Sequence, residues 1–444
     1  MTTEHPLPRA VDLLLKPGWI IPIEPSGVVL DAHALVVDRG VIVDLLPTAV
    51  AVQRYRAREV LELPGQVLLP GLINVHTHAA MTLLRGYADD LPLMRWLEER
   101  IWPAEARHAD AAFVEAGTLL ACAEMLRGGV TCFNDMYFFP EAAAAAARRA
   151  GIRAALGLVV IEFPTAYAKH AAEYLAKGQA FAATLCGEPL LSACWAPHAP
   201  YTVSDASFEA IRGLAEASKL PIHLHVHETQ DEIQVSLKAH GVRPLERLAR
   251  LGIVSPQLIA VHAVHLLAEE IALLAEAGAH VAHCPTSNLK LGSGIAPIAN
   301  LLRAGSNVGL GTDGAASNNR LDVFHEMRHA ALLAKGASGD ATAMSAHAVL
   351  RAATLSAAEA LGLAANVGSL MPGKAADLCS IGMDDWLLGP CFDPASHVVY
   401  VAGREQVRHV WVAGNQRVKD GKLVDIPDGT LLEIIDLWHN RLKS

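Results

Sequence analysis

The chain has 444 residues, of which 52% are hydrophobic and 18% charged, so it can bury a large core and extensive disorder is excluded. Its formal net charge of −10 argues against nucleic acid or an anionic membrane surface as the main partner. No apolar run approaches the roughly 18 residues of a membrane-spanning helix, and no secretion signal opens the chain. Together with seven cysteines that form no CxxC pair, these features predict a globular, cytoplasmic protein without a disulfide framework.

Both ends of the chain are rich in short β-prone runs, which are punctuated by prolines and by an Asp-Arg-Gly turn. The runs are residues 11–23, 34–46, 59–70, 376–382, 397–403 and 407–424. The last of them is predicted to form a hairpin. Because the two ends share this texture, we predict that residues 1–67 and 371–444 fold together as one small β domain.

Residues 68–370 have a different texture, in which short apolar runs alternate with helix-prone stretches rich in alanine and leucine. The eight apolar runs are residues 67–76, 129–135, 152–160, 190–198, 221–228, 258–263, 280–285 and 307–313. Each run is nearly continuous in apolar residues, as strands covered on both faces must be. The alternation predicts an α/β fold, a (β/α)8 TIM-type barrel. An open doubly wound sheet is the alternative, although no GxGxxG motif follows the first strand.

The active sites of such barrels lie at the C-terminal ends of the strands, so the last residues of each run are informative. Seven of the eight runs end in a histidine, an acid or an amide, and only residues 152–160 do not. These ends are His76-Thr77-His78, Asn134-Asp135, His198, His225-Val226-His227-Glu228, His262, His283 and Asp313. An HxH triplet is expected by chance roughly once in a chain with 21 histidines. The prediction of a site therefore depends on the position of these polar residues at the strand ends and not on the HxH triplet.

The residue types at these ends indicate a metal site. Alternate residues of a strand point to the same face, so His76 and His78 can bind one ion together. His225 and Asp313 would complete a set of three imidazoles and one carboxylate, with a further position open for water. This set suits catalytic zinc, with Fe²⁺ or Mn²⁺ as alternatives. A polar cluster without metal is the competing interpretation, but its groups would repel one another or stay unsatisfied.

Two further groups adjoin this set. Glu228 lies three residues beyond His225 and is predicted to shuttle protons, with a surface glutamate as the alternative interpretation. His262 could orient or deprotonate a water molecule, or stabilise the charge that develops on attack. His227 and His283 are interpreted as structural residues.

Several motifs, in this order and at these strand ends, carry a family resemblance. They are PGLINVHTH, HVHE, AVHAVH and GTDGAASNN, supported by WPAE, APHAPYTVSD, CPTSNLKLGSG and PGKAADL. The sequence resembles the amidohydrolase superfamily, and within it the mononuclear deaminases of 5′-methylthioadenosine and S-adenosylhomocysteine. The likeness covers nearly the whole chain. Each motif is modest by itself, and together they are specific.

The resemblance implies a hydrolase that deaminates adenine nucleosides, above all 5′-methylthioadenosine, to 5′-methylthioinosine and ammonia. S-adenosylhomocysteine and adenosine would be further substrates. It implies one zinc ion per subunit, bound by His76, His78, His225 and Asp313. Glu228 would carry a proton to the purine ring nitrogen, while His262 and Asp313 assist the water.

The resemblance also implies roles for residues outside the metal set. Glu105 would accept hydrogen bonds from the ribose hydroxyls, and His198 would contact the purine ring. It supports joining residues 1–67 and 371–444 into a β-sandwich-like domain beside a barrel of residues 68–370.

Two features separate this chain from other members of that superfamily. Binuclear members bridge two metals with a modified lysine at the end of the fourth strand, where this chain has His198, so one metal is predicted. Relatives that accept the homocysteine tail offer arginines beyond the third strand. Residues 158–169 here contain none, which favours the uncharged methylthio tail, although Lys169 weakens this preference.

Three other functions compete with this interpretation. The same machinery could act on guanine, cytosine or a triazine, as a deaminase or chlorohydrolase, but Glu105 favours a nucleoside. A two-metal amidase is disfavoured because the fourth-strand lysine is missing. A catalytically dead binding or scaffold protein is disfavoured because all four ligands and Glu228 are present. The expected partner is a small-molecule nucleoside, with no nucleic acid and no membrane, and self-association into a homo-oligomer is left open.

Overall fold

The computed structural model of the protein describes residues 8–443. Five strands precede the barrel: β1 (Arg9–Ile20), β2 (Leu30–Asp31), β3 (His33–Asp38), β4 (Val41–Pro47) and β5 (Tyr55–Pro70). β3 and β4 form an antiparallel hairpin at the predicted Asp-Arg-Gly turn. Arg39 and Gly40 both have positive φ there, 49° and 74°, which is the conformation that twisted hairpins require.

Eight parallel strands follow, and each overlaps one of the eight predicted runs. They are β6 (Leu72–Thr77), β7 (Val130–Asp135), β8 (Arg153–Val160), β9 (Leu191–Pro197), β10 (Ile222–Val226), β11 (Leu258–His262), β12 (His280–His283) and β13 (Asn307–Leu310). Strands adjacent in the chain are adjacent in the sheet. The backbone N–H of Asp313 donates to the carbonyl of His76 at 3.0 Å, which brings the last strand against the first. The predicted barrel is therefore confirmed, and the open sheet is wrong.

Eighteen helices lie within residues 8–443, and most of them follow barrel strands, as the alanine- and leucine-rich stretches predict. They are α1 (Thr48–Arg54), α2 (Leu93–Trp96), α3 (Trp102–His108), α4 (Ala111–Arg127), α5 (Pro140–Ala150), α6 (Ala171–Thr184), α7 (Asp205–Ser218), α8 (Gln230–His240), α9 (Pro244–Arg250), α10 (Ala268–Glu276), α11 (Pro285–Lys290), α12 (Ile298–Arg303), α13 (Ala315–Asn318), α14 (Val323–Ser338), α15 (Ala346–Ala352), α16 (Leu355–Ala360), α17 (Pro394–Tyr400) and α18 (Asp428–Lys443). A π-helical turn, Leu97–Ile101, joins α2 to α3. Short 3₁₀ segments cover Ala79–Leu84, Trp386–Leu388 and Arg404–Gln406.

Four strands after the barrel complete a second sheet: β14 (Leu378–Gly382), β15 (Val407–Val412), β16 (Asn415–Lys419) and β17 (Lys422–Leu423). The strand order is β17-β16-β15-β14-β5-β1-β3-β4, and β2 pairs with β1. β5 runs parallel to β1 and antiparallel to β14, so one mixed sheet contains strands from both ends of the chain. The predicted association of the two ends is confirmed.

Residues 397–403 do not form the strand predicted from their valines, because α17 covers most of them. Asp393 caps this helix by accepting a hydrogen bond from the N–H of Ala395, and Pro394 occupies its first turn. Val398 and Val399 are fully buried, so tertiary packing stabilises the helix against their β preference. The prediction of β structure at the C-terminal end was also incomplete, since it did not include α18.

The division into residues 1–67 with 371–444 and residues 68–370 stays a prediction. The change from one sheet to the other falls at Gly71, between β5 and β6. A Cβ atom at Gly71 would lie 2.2 Å from the side chain of Thr131, so only glycine fits this close approach. No helix within residues 8–443 is long and apolar enough to cross a membrane.

Candidate active site

The C-terminal ends of the barrel strands bring together the four residues predicted to bind a metal. His76 Nε2 lies 3.3 Å from His225 Nε2 and 3.3 Å from Asp313 Oδ1. His78 Nε2 also lies 3.3 Å from Asp313 Oδ1. Ligand atoms of His76, His78 and His225 lie within 4.8 Å of one another, as do those of His76, His262 and Asp313. We call His76, His78, His225 and Asp313 the ligand cluster.

Hydrogen bonds on the far side of each ring orient these imidazoles. The carbonyl oxygen of Met136 lies 2.6 Å from His78 Nδ1, and that of His198 lies 2.7 Å from His225 Nδ1. A carbonyl oxygen can only accept, so both rings carry their proton on Nδ1 and direct the lone pair of Nε2 to the centre. His76 Nδ1 bonds the ring of His223 at 2.9 Å, which directs Nε2 of His76 to the same point.

Burial favours the neutral form of two imidazoles of the cluster, those of His76 and His225. It lowers the pKa of His76 to about 4 and the pKa of His225 well below its usual value. Neutral imidazole is the form that binds a metal ion, whereas imidazolium cannot. Three imidazoles and one carboxylate that converge from the ends of three strands therefore fit a zinc ion.

Asp313 supplies the only carboxylate of the ligand cluster. Its Oδ2 accepts a hydrogen bond from the hydroxyl of Ser287 at 2.6 Å, and its Oδ1 accepts one from the N–H of Gly314 at 2.7 Å. Burial would raise the pKa of Asp313, but the contact with His76 and the neighbouring His78 and His262 hold it well below its usual value. The carboxylate is thus charged and oriented toward the histidines.

Glu228 and His262 stand beside the cluster. Glu228 Oε2 lies 3.6 Å from His262 Nε2, and the backbone N–H of Glu228 donates to Glu232 at 2.8 Å. Burial, with the negative charge of Asp313, raises the pKa of Glu228 to about 8. A pKa raised in this direction suits Glu228 to act as an acid near neutral pH.

A cavity of about 530 Å³ opens over the ligand cluster. Seven of the eight predicted site residues line it, namely His78, Glu105, His198, His225, Glu228, His262 and Asp313. The eighth, His76, is fully buried beneath them. Aromatic side chains form much of the remaining lining, including Trp102, Tyr137 and Phe163, which we call the aromatic wall.

Glu105 and His198 come from different elements of the barrel. Glu105 lies on α3, and His198 directly follows β9. The hydroxyl of Tyr137 donates to Glu105 Oε1 at 2.6 Å, and burial raises the pKa of Glu105 to about 7. His198 Nδ1 bonds the hydroxyl of Thr202 at 3.0 Å, and burial lowers its pKa to about 3. Glu105 therefore offers acceptor oxygens to a ligand, and His198 offers a neutral ring.

The two histidines interpreted as structural lie outside the cavity lining. His227 is fully buried, and its Nε2 accepts from the backbone N–H of Leu245 at 3.1 Å. His283 is also buried, and burial lowers its pKa to about 3. The ring of His227 is thus hydrogen-bonded inside the protein, whereas neither ring nitrogen of His283 has a hydrogen-bond partner within residues 8–443, so the structural role of His283 stays a prediction.

Sequence reasoning missed several residues that hold these groups in place. Ser287 bonds Asp313, Asn288 bonds His262, and Tyr137 bonds Glu105. One signal could have revealed the first two, because they directly follow the seventh predicted run, at the edge where the other site residues lie. Nothing in the sequence pairs Tyr137 with Glu105. The third run, which has no polar end, leads into the apolar residues Ile161 and Phe163 of the cavity lining.

Comparisons with known proteins agree with this geometry. The amidohydrolase family model matches residues 67–421. A 5-methylthioadenosine/S-adenosylhomocysteine deaminase from Teredinibacter turnerae is 47% identical over 98% of each chain. A 5′-deoxyadenosine deaminase from Methanothermobacter thermautotrophicus is 41% identical over 86% of this chain and 88% of its own. The crystal structure of an adenosine deaminase from Xanthomonas campestris with bound zinc has a TM-score of 0.97 at 48% identity, covering 98% of this chain and 99% of that chain.

These matches extend over both parts of the molecule, since the relatives align along nearly their full length. They confirm the predicted enzyme class, a hydrolase of carbon–nitrogen bonds in cyclic amidines. The barrel, the converging histidines at its strand ends and the extent of sequence identity all lead to one assignment. The chain belongs to the amidohydrolase family.

Proposed function

We propose that the protein deaminates adenine nucleosides by hydrolysis, with 5′-methylthioadenosine as its main substrate and S-adenosylhomocysteine and adenosine as further substrates. One observation carries this proposal. Three residues of the ligand cluster line the same cavity as Glu228 and Glu105, so a metal site, an acid and a group suited to ribose hydroxyls face one ligand space. The names of the relatives from Teredinibacter and Methanothermobacter support the nucleoside class.

One zinc ion per chain completes the proposed site, with Fe²⁺ or Mn²⁺ as alternative ions. His76, His78, His225 and Asp313 would hold it, because their free ligand atoms already converge. A bound zinc ion supplies Lewis acidity, which lowers the pKa of a water molecule toward 7. A single ion is favoured because His198 stands at the end of the fourth strand, where its ring bonds Thr202.

Side chains in and beside the ligand cluster carry out the proton transfers. Asp313 and His262 accept the proton of the attacking water, whose oxygen bonds the amino-bearing carbon of the purine. Glu228 donates its proton to the adjacent ring nitrogen, so that negative charge does not build up on the ring. The proton taken up from the water then passes to the amino group, the carbon–nitrogen bond breaks and ammonia leaves, while the hydroxyl proton of the former water returns to Glu228. The product is the corresponding inosine analogue.

Recognition of the nucleoside falls to the rest of the cavity. Glu105, oriented by the hydroxyl of Tyr137, accepts hydrogen bonds from the ribose hydroxyls. His198 contacts the purine ring. The lining contains no lysine or arginine, and Lys169 is not part of it. A cavity without a cation favours the uncharged methylthio tail over the homocysteine tail, whose carboxylate would lack a charged partner.

The decisive experiment is an assay of ammonia release over a small panel of compounds, with the ultraviolet change from adenine to hypoxanthine as a second readout for those that contain adenine. The panel contains 5′-methylthioadenosine, 5′-deoxyadenosine, adenosine, S-adenosylhomocysteine, adenine, guanine, cytosine and an aminated triazine. We expect the highest kcat/KM for 5′-methylthioadenosine. Turnover of a free base or triazine, without turnover of any nucleoside, would reject the proposal.

We further propose that the protein works in the cytoplasm on this small molecule and does not bind nucleic acid. All seven cysteines are free and five of them are buried, which suits a reducing compartment. The net charge of −10 disfavours a polyanionic partner. Self-association stays a prediction, which light scattering coupled to size-exclusion chromatography would test.

A further inference from the structure

Asn288 is a buried amide that lies behind the candidate site and not in the cavity lining. It belongs to α11, the short helix that begins directly after β12. Its Oδ1 lies 2.8 Å from Nδ1 of His262, on the side of the ring that faces away from Glu228. The two nitrogens of His262 therefore meet two different environments, an amide on one side and the reaction centre on the other.

The contact with His262 is the one polar contact of this amide. Asn288 Nδ2 has no hydrogen-bond partner within residues 8–443, although the side chain is 1% exposed. A buried amide usually satisfies both of its polar atoms. The hydrogen bond between His262 Nδ1 and Asn288 Oδ1 is therefore the polar contact that sets the position of the Asn288 amide. Because a carbonyl oxygen can only accept, the proton of a neutral His262 lies on Nδ1, and Nε2 carries the lone pair.

Hydrogen bonds to neighbouring elements hold α11, the helix that contains Asn288, in place. The buried carboxylate of Glu326 accepts a hydrogen bond from the backbone N–H of Thr286 at 3.1 Å and another from the amide of Asn318 at 2.8 Å. The next residue, Ser287, donates to Asp313. Three consecutive residues of α11 therefore make three separate hydrogen bonds, two of them buried, which leaves Asn288 little freedom to move.

His262 needs such support because its backbone does not have a relaxed conformation. Its φ angle is +71°, in the left-handed region that residues with a side chain rarely adopt. The strained backbone aims the ring into the site, but it does not select which ring nitrogen carries the proton. That selection needs a partner at Nδ1, and Asn288 supplies it.

We infer that Asn288 is a positioning residue, which holds His262 as the Nδ1–H tautomer so that Nε2 can accept a proton from the attacking water. Asn288 itself touches neither the substrate nor the ligand cluster. The inference rests on the proposed deamination. It deepens that proposal by naming the residue on which the proton acceptor depends.

The test compares two substitutions of similar shape in the zinc-loaded protein. Asn288→Leu removes the acceptor, and Asn288→Asp keeps an acceptor oxygen in the same place. We expect Asn288→Leu to lower kcat for 5′-methylthioadenosine by about 10–100-fold, the usual effect of removing a partner that orients a site histidine. Because Asn288 does not contact substrate, KM should stay within about threefold. Asn288→Asp should recover kcat to within about tenfold of the wild type.

Two controls separate positioning from a general loss of structure. Leu289→Ala, on the same helix, removes a side chain that is 42% exposed and does not line the cavity, and it should leave kcat unchanged. The zinc content of both Asn288 variants should equal that of the wild type. If Asn288→Leu keeps full kcat, or if Asn288→Asp loses as much as Asn288→Leu, the inference is wrong.

A structural readout keeps the inference testable if deamination is not the activity. In crystals of the zinc-loaded Asn288→Leu protein, the ring of His262 should rotate away from its position in the wild type or gain a different partner at Nδ1. A ring that stays in place without a partner would overturn the inference. The absence of deamination by the wild-type protein would reject the proposed function and not the positioning role.

Discussion

The ligand cluster and the aromatic wall of the same cavity are built in different ways. Residues of the cluster lie at or just after the ends of barrel strands, and each ring or carboxylate is held by a second hydrogen bond. The wall comes mainly from longer connections, since Trp102 lies in the segment between β6 and α4 and Phe163 follows β8. The rings of Trp102 and Phe163 pack edge to face, with centroids 5.9 Å apart. Apolar contact alone holds this pair.

This difference separates chemistry from substrate choice. Groups that must meet within a few tenths of an ångström lie on the rigid barrel edge, where parallel strands end together. Groups that need only complement a ligand's shape lie in the connections that follow the strands, which tolerate substitution better. Changes in the ligand cluster should therefore abolish the reaction for every substrate, whereas changes in the wall should alter the relative rates among substrates.

The largest effect is expected from loss of the metal. His225→Ala should lower kcat/KM by at least about 10³-fold for every substrate, because the Lewis acid supplies several kcal/mol of stabilisation to the transition state. The zinc content, measured by inductively coupled plasma mass spectrometry, should fall in parallel. His240→Ala, which removes an exposed histidine on α8, is the control and should keep both. Full activity after rigorous removal of metal would contradict the metal site.

The next largest effect should come from the acid. Glu228→Gln should retain zinc but lose about 10²–10⁴-fold in kcat, because glutamine cannot donate the proton. The pKa of Glu228 is raised to about 8, and the protonated form is the active one, so the wild-type rate should fall as pH rises through this region. That fall should be absent in the variant. Glu246→Gln, at an exposed position, is the matched control. A normal rate for Glu228→Gln would remove Glu228 from the mechanism.

A smaller and selective loss is expected at Glu105. Glu105→Ala should lower kcat/KM for nucleosides by about 10–100-fold, which corresponds to a charged hydrogen bond of about 1.5–3 kcal/mol. Deamination of free adenine should hardly change. Tyr137→Phe keeps the carboxylate but removes the hydrogen bond to it, so its loss should be intermediate. Equal losses on nucleoside and base would show that Glu105 does not bind ribose.

The smallest effect is expected in the aromatic wall. Trp102→Ala should lower kcat/KM by about 3–10-fold, from the 0.5–1.5 kcal/mol of an aromatic pair, and more for 5′-methylthioadenosine than for adenosine. Zinc content should not change. Trp386→Ala is the control, since this tryptophan is 84% exposed and does not line the cavity. A uniform loss for all substrates would mean that the wall supports the reaction centre and not the tail.

The barrel could be predicted well because its signals are local. An apolar run marks each of the eight strands, since both faces of a barrel strand are covered. The wrong strand at residues 397–403 shows the opposite case. Its valines favour a strand by local preference, but the cap at Asp393 and the burial of Val398 and Val399 stabilise α17. The β preference of a residue decides little where a few kcal/mol of tertiary packing favour another conformation.

The candidate site could be predicted in part for the same reason. His76, His78, His225 and Asp313 were found because parallel strands end at one edge, so their positions in the sequence imply proximity. Their supporting partners could not be found in this way. The bond between Tyr137 and Glu105 joins residues 32 positions apart, and the bond between Asn288 and His262 joins residues 26 apart. The direction of a side chain in a helix or loop sets such bonds, and no periodicity in the sequence reports it.

The sequence by itself determined the alternation of strands and helices and the polar residues that end the strands. Both depend on the pattern of apolar and polar residues within short segments of the chain. Tertiary structure alone decided the tautomers of the histidines, the raised pKa of Glu228 and the fold of residues 397–403. These properties depend on the groups that surround a side chain in space. A carboxyl or a ring acquires its pKa and its hydrogen bonds only when distant parts of the chain remove it from water.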